Sequence, residues 1–139
     1  MAEGFRRPPH AGLGARQDLS AADIDRFAQM ILGEPVEPFL REAIRRADGR
    51  CRRLLFEAAL AGAGVDQRKA VESSSIPIAV INGSADPLVN LDYIREVRYA
   101  NLWERKCHCL DGVGHAPFWH AADEYNVILR RFLQGVFSE

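Results

Sequence analysis

A disulfide framework, a membrane-length apolar run and an excess of charge are all missing from this sequence, and each absence narrows the possibilities. Three cysteines, Cys51, Cys107 and Cys109, make an odd count with no framework spacing. That argues for a reducing compartment and against a disulfide-stapled secreted domain. The richest apolar stretch, Leu54 to Gly64, is interrupted by Glu57 and falls short of a bilayer span. The start, Met1-Ala2-Glu3-Gly4-Phe5-Arg6-Arg7-Pro8-Pro9, has no apolar core of a signal peptide. Together these readings predict a cytoplasmic protein with no membrane partner. A formal net charge of −1 argues against a nucleic-acid binder that works by neutralising many phosphates. Lysine is scarce, with Lys69 and Lys106 the only two among 18 basic residues, but no feature of a fold requires that bias. There is no internal repeat and no low-complexity tract.

What remains is ordinary globular material, 47% hydrophobic and 27% charged over 139 residues, enough for one domain with a real core. Three segments follow from the patterning. Residues 1–18 are rich in Gly, Pro and Arg without periodicity and read as a loop or frayed arm. Residues 19–70 read as a helical subdomain. Ser20 and Asp23 have capping-box spacing before Ile24, Phe27, Ala28 and Ile31. A second helix is expected over Pro38 to Ala47, and a third over about Arg50 to Leu60, carrying Leu54, Leu55 and Ala58. Residues 71–139 open on a polar linker, Val71 to Ser75, and continue as β-α-β-α. Strands are expected at Ile76–Ile81 and Arg105–Leu110, and helices at Asn90 to about Leu102 and Ala122–Phe137. The last helix places Tyr125, Ile128, Leu129, Phe132 and Val136 on one stripe.

Two turns in the last segment carry the chemistry. Ile81-Asn82-Gly83-Ser84-Ala85-Asp86-Pro87 takes a strand end into an acidic turn, and Gly112-Val113-Gly114-His115-Ala116-Pro117 places a histidine 29 positions later (115 − 86). In an open parallel sheet ligands bind beyond the carboxyl ends of the strands, which is where both residues are expected. A crossover of this length makes the two strands neighbours. Asp86 would then accept the Nδ1–H of His115, leaving Nε2 free as a general base. An aspartate before a proline is also a standard turn residue, and a histidine can simply cap a helix. Asp111 is the second candidate acid, although its place on the histidine's own loop suits a turn-shaping role better.

Other residues invite chemistry less directly. In Cys107-His108-Cys109, strand alternation puts the cysteines on one face and the histidine on the other, so the three cannot converge on one metal ion. No cofactor or metal is implied. Arg41, Arg45, Arg46, Arg50, Arg52 and Arg53 are interleaved with Glu42 and Asp48 and read as a solvated face, with anion contact as the sharper alternative. Phe118 and Trp119 follow the histidine loop closely enough to contact a small-molecule substrate, with packing under the last helix as the alternative for Trp119. Trp103 is a further candidate lining residue.

With these residues in view, the sequence resembles the C-terminal half of an α/β-hydrolase. The resemblance rests on Pro77-Ile78-Ala79-Val80-Ile81-Asn82-Gly83-Ser84-Ala85-Asp86-Pro87 as the acid strand and loop, and on Gly112-Val113-Gly114-His115-Ala116-Pro117-Phe118 as the histidine loop. The order, acid before histidine, is the family's. The resemblance implies a partial α/β fold whose residues 19–70 form a helical cap or lid. It also implies hydrolysis of a small ester, amide or related bond through a Ser-His-Asp relay, with Asp86 as orienting acid and His115 as base. No G-x-S-x-G elbow is present, however, nor a glycine-rich oxyanion loop. Gly83-Ser84-Ala85 lies in the acid loop, and Gly49-Arg50-Cys51 opens a helix without a preceding strand. The expectation is therefore a truncated hydrolase, inactive alone. The alternatives are a non-catalytic binding module, or one half of a split hydrolase completed by another chain. An exposed sheet edge invites self-association or that complementing chain.

Overall fold

The computed structural model describes residues 2–137. Met1, Ser138 and Glu139, the outermost residues of the expected arm and last segment, lie outside the described residues. Helix α1 (Ala21–Leu32) begins with the capping box that its sequence spells. The Ser20 hydroxyl accepts the Asp23 N–H at 3.2 Å, while the Asp23 carboxylate reaches back to the Ser20 N–H at 3.3 Å. Ile24 and Ala28 form its buried stripe. Gly33, at φ 71°, ends the helix in a conformation that β-carbon sterics disfavour in other residues. Helix α2 (Pro38–Arg46) starts with a proline in its first turn, where a missing N–H costs nothing. Helix α3 (Gly49–Leu60) is capped by Asp48. Leu54 and Leu55 on this helix are exposed. The helix packs on the turn at Ala11–Ala15, where the Phe56 ring lies against Gly14.

A fourth helix, α4 (Gln67–Ser73), occupies what the composition suggested was partly a linker. Its signals are local: Asp66 accepts the Lys69 N–H at 3.2 Å, and Arg68 pairs with Glu72 one turn later at 2.9 Å. Beyond it, strand β1 (Ile81–Gly83) pairs in parallel with strand β2 (His108–Leu110), in the register Ile81↔His108, Asn82↔Cys109 and Gly83↔Leu110. Both strands are shorter than expected. The run from Ile76 contributes only an isolated bridge, Ile78↔Leu102, upstream of the ladder. Helix α5 (Leu91–Glu96) is also shorter than its sequence pattern. The chain after it turns back so that Ala100 N–H bonds the Val71 carbonyl and the Asn101 amide bonds Ser75. Helices α6 (Pro117–His120) and α7 (Ala122–Phe137) close the chain. In α7 the predicted stripe is half-buried, whereas Val127, Leu133 and Phe137 are exposed.

The arm is tied down rather than frayed. Phe5 bridges Val89 antiparallel, Arg6 N–H bonds the Leu88 carbonyl, and Asn90 donates to the carbonyls of Gly4 and Glu3. Leu13 is buried. Among the described residues the sheet has two strands only. In the parallel ladder Val80, Asn82 and Ser84 turn their peptide groups toward β2, so those of Ile81 face the opposite, unpaired edge. Among the described residues no large side chain is fully buried, as expected where both edges of a two-stranded sheet and several apolar side chains lack a covering layer. Among the described residues no helix is long and apolar enough to cross a membrane.

Candidate active site

Parallel pairing of β1 and β2 brings their carboxyl ends side by side, and the acid and histidine turns leave from that shared end. Asp86 is buried, at 3% exposure. Its Oδ1 accepts the N–H groups of Leu88 (2.7 Å) and Val89 (3.0 Å), an arrangement that Pro87 favours by fixing the turn. The other oxygen, Oδ2, lies 2.9 Å from Nδ1 of His115. The backbone thus fixes the carboxylate, and the carboxylate aims the imidazole. His115 is partly exposed, and among the described residues no serine hydroxyl or thiol hydrogen-bonds its ring. Asp111, the second candidate acid, bonds the Ser84 hydroxyl at 3.0 Å instead of the histidine.

The two loops meet through closely spaced backbone. Ser84 N–H bonds the Leu110 carbonyl at 2.8 Å, and Ala85 N–H bonds the Val113 carbonyl at 2.9 Å. Gly83 makes this approach possible. A β-carbon there would stand 2.1 Å from the Val113 oxygen and 2.3 Å from the Gly114 oxygen. Both clashing atoms are backbone, so no rotamer change relieves them. Gly83→Ala is therefore expected to cost about 2–3 kcal/mol, in the range of overpacked cores. A denaturant midpoint unchanged from the parent chain would count against this account of the loop contact.

The remaining candidates fall in different places. Trp119 packs edge-on against Phe39 of α2, with ring centroids 5.7 Å apart, and Phe118 packs against Tyr125 at 6.4 Å. All three of Phe39, Phe118 and Trp119 keep more than two-fifths of their surface exposed, at 57%, 59% and 43%. The α2 contact places the helical segment beside the residues that follow His115, and the neighbouring Gly33 lies close to the His120 ring. Phe39 was not legible as a site neighbour, because its sequence context shows only one face of a short helix. Trp103 does not join this group. It stacks on His108 at 5.1 Å, beneath the Arg131 guanidinium and beside Phe132, at the start of β2 rather than its end.

His108 is buried on that side while Cys109 is exposed on the other, as strand alternation requires. Burial pushes the His108 imidazole below its ordinary pKa, with Lys106 adding to the effect. Burial pushes the Cys107 thiol up, the opposite of an activated nucleophile. Among the described residues no three potential ligands are grouped to hold a metal. Four of the six clustered arginines, Arg41, Arg45, Arg50 and Arg53, are paired with Asp25, Glu42, Asp48 and Glu57.

No protein-family model matches the chain, and no curated protein matches it significantly. Solved structures do. The N-acyl homoserine lactonase AidH complexed with N-butanoyl homoserine is 39% identical and superposes with a TM-score of 0.94, covering 98% of this chain. Two mutants of that lactonase, complexed with N-hexanoyl homoserine lactone and with N-hexanoyl homoserine, match at 39% identity with TM-scores of 0.93 and 0.94. In each case the chain spans 50% of the length of the protein it matches. It carries the C-terminal half of an α/β-hydrolase fold.

Proposed function

We propose that Asp86 and His115 are the orienting acid and the general base of a Ser-His-Asp type hydrolase centre, completed by a nucleophile and oxyanion donors from polypeptide beyond this chain. The observation that carries this reading is the 2.9 Å contact between Asp86 Oδ2 and His115 Nδ1, made by a carboxylate whose other oxygen is held by two backbone N–H groups. With Nδ1–H donated to Asp86, the lone pair on Nε2 is free. It takes the hydroxyl proton as the nucleophile attacks a carbonyl carbon. It then returns that proton to the leaving alkoxide or amine, and Asp86 stabilises the intervening imidazolium without itself being protonated.

The substrate class is a small ester, amide or lactone. The lactonase relatives make an N-acyl homoserine lactone the first compound to test. The exposed rings of Phe39, Phe118 and Trp119 supply apolar surface next to the histidine loop for an acyl group. Residues 19–70 act as the cap, since α2 meets the residues that follow His115. The free edge at Ile81 and the exposed apolar side chains are where a complementing half, in the same polypeptide or another, would pair. The odd cysteine count favours the cytoplasm.

The test is a chimera in which the N-terminal half of the lactonase is joined to this chain. It should open N-hexanoyl homoserine lactone, and His115→Ala should remove at least about 10⁴ of its rate. A folded chimera whose turnover is indifferent to His115→Ala overturns the proposal.

A further inference from the structure

Besides Asp86 and His115, one side chain crosses between the acid and histidine loops among the described residues. The Ser84 hydroxyl donates to Asp111 Oδ1 at 3.0 Å and accepts the Gly112 N–H at 2.8 Å. Ser84 lies two positions before Asp86, and Asp111 and Gly112 lie just before the turn that delivers His115. Gly112 has φ 69°, so the chain reverses direction at the residue whose N–H the hydroxyl holds. The backbone bonds from Ser84 and Ala85 carry the ladder past the strand ends, but they leave open how the Asp111–Gly112 turn is oriented. The hydroxyl, by donating to a side chain and accepting from the next residue's backbone, fixes that orientation.

We propose that Ser84 and Asp111 form a positioning clip that sets the histidine loop against the acid loop and so holds His115 Nδ1 in register with Asp86 Oδ2. The proposal rests on the reading of those two residues as acid and base, and deepens it. Neither clip residue touches a reacting atom. Both are solvent-exposed, so the clip adds little to global stability, while misplacing a base by about 1 Å costs on the order of 10² in rate. A sequence scan would miss the pair, because serine and aspartate are common turn residues and these two stand 27 positions apart.

The test is proton NMR of the whole chain, with no substrate. His115 should give a downfield Nδ1–H line, assigned by its loss in His115→Ala. Ser84→Ala and Asp111→Ala should each broaden that line and speed its exchange with water about tenfold, the factor set by one lost hydrogen bond. Ser84→Thr, which keeps the hydroxyl, should restore it. Ser20→Ala, which removes the α1 cap and so destabilises the fold at least as much, should leave the line as it is. An unchanged line in Ser84→Ala, or equal broadening in Ser20→Ala, overturns the clip. Should Ser84→Ala fail to fold, Asp111→Ala gives the same reading. Because the measurement needs no turnover, its outcome is separate from that of the chimera.

Discussion

Supplied alone with an activated ester, the chain is expected to turn over no faster than free imidazole at matched concentration. A general base and its orienting acid act on a nucleophile. Where a triad has been dismantled residue by residue, loss of the nucleophile alone removes about 10⁶ in kcat, nearly as much as loss of all three members. Among the described residues no serine hydroxyl or thiol hydrogen-bonds His115, and Cys107 is held at the Ile94 carbonyl with a raised pKa. An oxyanion donor is worth roughly 2.7–4 kcal/mol in comparable centres, and no segment of this sequence supplies the glycine-rich loop for one. Saturable turnover well above the imidazole control, abolished by His115→Ala, would reveal a nucleophile within the chain. Cys109, exposed on β2, would then be substituted first, followed by Cys107.

The second large effect separates two substitutions at one position. Asp86→Ala removes the acceptor for the Leu88 and Val89 N–H groups together with the partner of His115 Nδ1. Leaving partly buried donors unpaired costs about 1–3 kcal/mol each, and a total near 3 kcal/mol lowers the melting midpoint by about 10 °C in a chain of this size. Asp86→Asn keeps an oxygen for both backbone donors, so the midpoint should move little. Its amide nitrogen, however, donates toward Nδ1 and forces the proton of the ring onto Nε2. In the chimera that tautomer cannot act as a base, and turnover should fall by about 10⁴. Melting curves and rates measured side by side check both halves. Equal losses of stability in the two variants would mean that the backbone bonds to Oδ1 are not what holds the turn.

How much of this was legible in the sequence depended on how local the signal was. The start of α1 was readable because Ser20 and Asp23 satisfy each other within one turn. The extent of α7 was readable from its own periodicity. The Asp86 and His115 turns were readable because each is a compact run of Gly, Pro and one functional residue. Helix α4 had local signals in Asp66, Arg68 and Glu72, but the serine run at its end masked them. The overlong α5 is a different failure. Residues 97–102 have acceptable helical pattern, and only their bonds to Val71, Ser75 and Ile78, more than 20 positions away, pull them out of the helix. Strand length failed similarly, because an apolar run fixes where a ladder can form and the partner fixes how much of it does.

The arm over residues 3–6 couples distant sequence to the acid loop. Phe5 and Arg6 run beside Leu88 and Val89, the residues whose N–H groups grip Asp86, and Asn90 is bonded twice to Glu3 and Gly4. The far side of the acid loop is thus braced by Glu3 to Arg6. Disturbing Glu3 to Arg6 would therefore loosen the turn that holds the carboxylate, from residues more than 80 positions away from it in sequence.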